Sequence, residues 1–106
     1  MKKVTLTGNL GNDAKIFEVS GHTALIFDLG VTERHKDSAG VWGNLTTWFK
    51  IFKWDKKEYI EKSLPYFKKG AKVYVDGSFT LTSFKDKPQM TVKVSEMELL
   101  SSQTKS

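Results

Sequence analysis

Apolar residues in this chain recur with period two almost from end to end, a spacing that builds sheets and excludes a helical bundle. Val4 and Leu6 alternate with Lys3, Thr5 and Thr7. Leu25, Phe27, Leu29 and Val31 alternate with Ile26 and Asp28. Val73 and Val75 alternate with Tyr74 and Asp76, and Met90, Val92 and Val94 share the face of a last strand running toward Leu99. Gly8-Asn9-Leu10-Gly11 reads as a strand break, with Ala14 to Val19 continuing beyond it. Gly21-His22, Asp37-Ser38-Ala39-Gly40 and Lys85-Asp86-Lys87-Pro88 read as turns. A third strand is expected from Leu45 to Trp54.

One segment departs from this period. Ile60, Leu64 and Phe67 repeat at helical spacing, and Asp55 with Glu58 three residues later has the form of a capping box. The spacing predicts a helix from Asp55 to about Phe67, distorted at Pro65 and stopped by Lys68-Lys69-Gly70. About five strands and one helix fit a single domain of 106 residues. An all-β fold is expected: a five-stranded OB-fold Greek-key barrel with the helix between strands 3 and 4, closure being the direct way to remove sheet edges. Another small Greek-key barrel or an SH3-like barrel is the alternative. The domain is expected over 1–100, with 101–106 as a short flexible tail lacking apolar anchors.

Composition narrows the chemistry. With no cysteine, disulfides and thiolate metal sites are excluded. With only His22 and His35, a histidine-rich metal site is excluded as well. Glu33 and Asp37 flank His35, but in a segment that reads as a hairpin loop. No nucleophile, base and orienting group come together, so the chain is expected not to be an enzyme and to need no cofactor. No apolar run approaches membrane length, and Met1-Lys2-Lys3 leads straight into alternating sequence, so a cytoplasmic protein is expected, without membrane association.

Lys and Arg total 17 against 12 Asp and Glu, a formal charge of +5. Residues 1–49 and 73–106 are each balanced. The excess lies in 50–72, where eight lysines face Asp55, Glu58 and Glu61. A basic balance suits a polyanionic partner. The sharper signal is aromatic: on the third strand Trp48, Lys50, Phe52 and Trp54 point one way, and Thr47, Phe49, Ile51 and Lys53 the other. Phe49 and Ile51 are assigned to the core. Trp48 and Trp54 flanking Lys50 are assigned to a solvent-facing surface, where flat rings stack on bases of any kind and a lysine neutralises phosphate. Phe84 beside Lys85 and Lys87, and His35 between Arg34 and Lys36, are candidates on two loops.

Taken in order, Val4-Thr5-Leu6-Thr7-Gly8-Asn9-Leu10-Gly11, Thr32-Glu33-Arg34, Thr47-Trp48, the block Tyr66 to Gly77, and Met97-Glu98-Leu99-Leu100 resemble the bacterial single-stranded DNA-binding proteins with an OB-fold. The resemblance covers almost the whole chain. It implies largely sequence-independent binding and protection of single-stranded DNA in replication, repair and recombination, by a homotetramer, with a homodimer as the alternative. By position it implies stacking at Trp48, Trp54 and Phe84. His35 falls where the family carries tryptophan, which weakens one platform. Lys50 falls on a basic strand position, and Lys3, Lys56 and Lys69 on basic surface positions. Phe79-Thr80-Leu81-Thr82-Ser83 stands where the family often has basic residues. The sequence given ends at Ser106 without the acidic tip that recruits other replication proteins, which leaves such recruitment open; origin in a bacterial host or a mobile element is equally open. The competing reading is an OB-fold interaction module of a replication or primosome complex with weak DNA binding alone.

Overall fold

The computed structural model describes residues 2–101. Six strands form one sheet: β1 (Lys3–Leu10), β2 (Lys15–Val19), β3 (His22–Lys36), β4 (Trp42–Asp55), β5 (Lys72–Phe84) and β6 (Lys87–Ser101). Their order is β1-β5-β6-β4-β3-β2, and β1 also pairs with β3, which closes the barrel. A short helix, α1 (Lys57–Ser63), and a single 3₁₀ turn over Leu64–Tyr66 lie between β4 and β5. This is the expected OB-fold arrangement, with one strand more than expected. The segment read as a continuation of the first strand is separate, because Gly11-Asn12-Asp13 carries the chain from pairing with β5 to pairing with β3.

Two close approaches shape the barrel. At Gly8, β1 crosses β3 so tightly that a Cβ would stand 2.3 Å from the Gly30 carbonyl oxygen. At Gly77 a Cβ would stand 2.2 Å from the Lys93 carbonyl oxygen. There the β5–β6 register shifts: Asp76 pairs with Glu96 but Gly77 with Val94, leaving Ser95 as a bulge. The extra residue explains a change of parity in β6. Met97 and Leu99 pack on the core on one side of it and Val94 and Val92 on the other.

The helix is shorter than its apolar stripe. Ile60 and Phe67 are buried and Leu64 is half-buried, as the spacing requires. The α-helix nevertheless stops at Ser63, since Pro65 lacks the N–H that another turn would need, and the chain tightens into the 3₁₀ turn. The expected capping box is absent. Lys56 occupies the N-cap without a side-chain hydrogen bond, and Asp55 instead accepts the Lys56 N–H at 2.8 Å. Gly70 then turns the chain with a φ of 91°.

Three turns set the hairpins. Ser20-Gly21, rather than Gly21-His22, joins β2 to β3, both at positive φ. Lys85-Asp86 joins β5 to β6, also both at positive φ. The β3–β4 loop closes early: the Asp37 carboxylate accepts the N–H groups of Ala39 and Val41, each at 2.9 Å. Strand β4 therefore starts at Trp42, not near Leu45. Ser101 is still paired, with Lys72; the remainder of the expected tail, 102–106, lies outside the described residues.

Leu25, Phe27, Leu29, Ile51, Val73, Val75 and Val92 are fully enclosed and form the centre of the core. Phe27 stacks on Phe67 with ring centroids 5.8 Å apart, fastening the segment after the helix to the barrel. Phe27→Ala is expected to destabilise the fold by about 3–5 kcal/mol, read as a lower urea midpoint with an unchanged slope.

Candidate nucleic-acid interface

Strands β3 and β4 pair without a register break from Thr23–Asp55 to Lys36–Trp42. Their even-numbered side chains consequently leave from one outer face and the odd-numbered ones, Leu29 and Ile51 among them, enter the core. The hydroxyls of Thr32 and Thr46 meet on the outer face at 2.8 Å.

Trp48 lies opposite Gly30 on this face. A Cβ on Gly30 would come within 2.9 Å of the indole Cη2, and one on Gly11 within 2.4 Å of Cζ3. The two glycines thus seat the ring against bare backbone, while Trp48 stays 53% exposed. Next along the face, the Lys50 ammonium pairs with the Asp28 carboxylate at 2.9 Å. Asn12 fixes that carboxylate: its amide nitrogen donates to Asp28 Oδ2 at 2.9 Å, and its carbonyl accepts the Asp28 N–H at 3.2 Å. Lys50 is therefore a compensated charge rather than a free cation.

Beyond Lys50 comes an aromatic cluster. Phe52 and Trp54 stack with centroids 6.3 Å apart, and Phe17 from β2 meets both edge-on at 6.2 and 6.1 Å. Edge-to-face contact holds rings in fixed orientations while leaving Phe17 exposed to solvent. The β5–β6 hairpin completes the surface. Phe84 and Gln89 share an apolar hollow of about 470 Å³ with Phe17, Ile26, Asp28, Lys50 and Phe52. Phe84 is 60% exposed, with the Lys85 ammonium 5.3 Å from its ring centroid.

The expected site residues fall into groups. Trp48, Lys50, Trp54 and Phe84 come together on the outer face, with Lys87 beside Phe84. Lys56 and Trp54 line a second hollow together with His22, Lys57 and Glu18. Lys69 lies in a loop fastened by its N–H to the Asp13 carboxylate, next to the segment that carries Gly11. Arg34 and Lys36 stand at the end of the β3–β4 arm, 5.1 and 5.7 Å from the centroid of Trp42. His35 has the opposite parity, opposite Gly43, so it is not on the face that carries Trp48. Lys3, on β1, pairs with Ser78 of β5, and lies three strands from β4 in sheet order.

Phe17, Phe52 and Trp42 belong to these surfaces but were not singled out from the sequence. Phe52 was legible from its parity with Trp48 and Trp54. Phe17 needed the β2–β3 pairing, and Trp42 the early restart of β4. Among the described residues, no group of three or more His, Asp or Glu could hold a metal ion, and no helix is long and apolar enough to cross a membrane.

A small barrel in this strand order, with exposed rings and lysines gathered on one outer face, defines an OB-fold binding domain. Residues 1–105 match the single-strand binding protein family, and the chain belongs to that family. It is 38% identical over 87 residues to single-stranded DNA-binding protein 1 of Chlorobaculum tepidum, covering 81% of this chain and 52% of the relative. It is 33% identical over 85 residues to the single-stranded DNA-binding protein of Xylella fastidiosa, covering 79% and 51%. The chain thus spans about half the length of the curated relatives it matches. Among solved structures, a variant of the Thermus aquaticus single-stranded DNA binding protein superposes with a TM-score of 0.75 at 15% identity, over 97% of this chain and 52% of the other. The Plasmodium falciparum SSB complex with ssDNA superposes with a TM-score of 0.73 at 24% identity, over 94% and 95%. These likenesses establish the fold.

Gly30→Ala is expected to push the Trp48 ring off its seat. The change will be read as altered near-ultraviolet circular dichroism and a shifted tryptophan emission maximum, with the far-ultraviolet spectrum unchanged.

Proposed function

We propose that this chain binds and protects single-stranded DNA, largely without regard to sequence, in replication, repair and recombination, and that it does so without catalysis. The observation that carries this reading is the gathering of Phe17, Trp48, Phe52, Trp54 and Phe84 on one outer face, with their rings open to solvent or half-buried beside lysines. Such rings have no role in the core, and each offers a π-face that any base can stack on, worth about 1–3 kcal/mol per base. Membership of the single-strand binding protein family supports the same reading.

The mechanism divides between stacking and charge. Trp48, backed by Gly11 and Gly30, is held in place before any base arrives, so little side-chain freedom is lost on contact. Phe84 faces the Phe17–Phe52 pair across the hollow, so a base inserted there meets rings from two sides. Lys56, Lys69, Lys85 and Lys87 are exposed and supply cations along the edges of this face for phosphates. Lys50 contributes through the Asp28–Lys50 pair, which can rearrange when a phosphate competes for the ammonium. Assembly as a homotetramer is part of the proposal, with a homodimer the alternative that native mass spectrometry separates from it.

Titration with oligo-dT tests the reading. Tryptophan emission is expected to be quenched, and affinity to fall as salt rises. Trp48→Ala and Trp54→Ala should each weaken binding by about 1–3 kcal/mol without unfolding the protein. Absence of quenching and of any mobility shift of a labelled strand at low salt would remove the proposal.

Asp28→Asn provides an electrostatic check. Removing the carboxylate frees Lys50 and removes a negative charge from the path, so affinity is expected to rise. If the freed ammonium gains a phosphate, the slope of log K against log salt should steepen by about 0.7. The measurement is a salt series of fluorescence titrations on both proteins.

A further inference from the structure

The outer face of the barrel does not end at Trp48. The β3–β4 arm continues it, because the same register carries Thr32, Arg34 and Lys36 on β3 and Trp42, Asn44 and Thr46 on β4 to one side. Trp42 is 55% exposed and is not part of the core or packed against it. Its ring has the Arg34 guanidinium 5.1 Å and the Lys36 ammonium 5.7 Å from its centroid. Of the nearby acids, Glu33 has the opposite parity and Asp37 is held by the turn amides. Neither Arg34 nor Lys36 is ion-paired among the described residues, in contrast to Lys50.

We propose that Trp42, with Arg34 and Lys36, is a separate nucleotide platform that takes one base and its flanking phosphates from the strand leaving Trp48. The proposal rests on the single-stranded DNA reading above and adds a site to it. Three features carry it. An exposed indole offers a stacking face. Two uncompensated cations beside it match a polyanion and are free to turn toward phosphate. The platform lies on the same side of the same two strands as Trp48, six residues away along β4, or about 20 Å at roughly 3.3 Å per residue. That separation leaves room for several nucleotides between the two rings, so the platform engages only strands long enough to reach it.

The chain has three tryptophans, Trp42, Trp48 and Trp54, and this makes the contact directly readable. In the double variant Trp48→Phe, Trp54→Phe, stacking rings remain on the barrel and Trp42 is the sole tryptophan. Its emission is expected to be quenched by oligo-dT of about 16 nucleotides and not by one of about 4, lengths that bracket the OB-fold range. In the otherwise native chain, Trp42→Ala should weaken the longer oligomer by about 5- to 150-fold, leave the shorter unchanged, and be largely rescued by Trp42→Phe. Equal affinity of Trp42→Ala and the native chain at both lengths would overturn the platform. So would equal weakening at both lengths, which would mean that the arm acts through the barrel. A lower assembly mass for Trp42→Ala by light scattering would overturn it too, making the ring a contact between copies. If the native chain binds neither oligomer, the underlying reading fails; if it binds both and Trp42 alone is silent, only this inference does.

Discussion

The register between β3 and β4 is the constraint on which the remaining structure depends. It pairs every residue from Thr23 to Lys36 with one from Trp42 to Asp55. One face of that ladder supplies Leu25, Phe27, Leu29 and Ile51 to the core, and the other presents Trp48, Phe52 and Trp54 to solvent. A slip by one residue would exchange the two sets, burying Lys50 and exposing Phe27. The cost of that exchange is what keeps the binding face outward. Stability and recognition are therefore not separate properties here: the same hydrogen bonds that let the barrel close also decide which rings a ligand can meet.

Charge is distributed less simply than the composition implies. The excess of +5 sits in 50–72. Within that stretch Lys50 pairs with Asp28, Lys53 with Asp55 and Lys57 with Glu18, at 2.9, 3.7 and 3.1 Å. The Glu18 hydrogen bond and charge hold the Lys57 ammonium above the ordinary lysine range. Exposed pairs of this kind add little to stability, but they lower the local field. The outer face is consequently a surface of rings edged by free lysines, not a uniformly positive groove.

Much of this was legible in the chain itself, for a physical reason. Period-two alternation is local, so the opposite facing of Phe49 and Ile51 against Trp48 and Trp54 could be read without knowing any partner strand. The apolar stripe of Ile60, Leu64 and Phe67 was legible on the same ground. What escaped depended on contacts distant in sequence. The compensation of Lys50 needs Asp28 from another strand, and the place of Phe17 needs β2 to leave β1 for β3. The start of β4 depends on one carboxylate, Asp37, binding two amides, which no alternation pattern records. The same event carries Trp42 into a strand, while the continuation of β3 to Lys36 puts His35 on the opposite side from Arg34 and Lys36 by simple alternation.

The bulge at Ser95 has an effect well away from where it lies. By shifting the β5–β6 register beside Gly77, it lets both strands keep apolar residues inward while the pair bends and twists more strongly. Phe84 lies seven residues beyond Gly77, at the far end of that bent pair. Past the bulge, Thr91, Val92 and Lys93 of β6 pair with Lys50, Ile51 and Phe52 of β4, so the hairpin is tied to the strand that carries the rings before its tip runs on. Neither Gly77 nor Ser95 lines the hollow that Phe84 shares with Phe17 and Phe52. A side chain at Gly77 would nevertheless press on the carbonyl of Lys93, one of the β6 residues that pair with β4, and so reach the framework of the hollow without touching its lining.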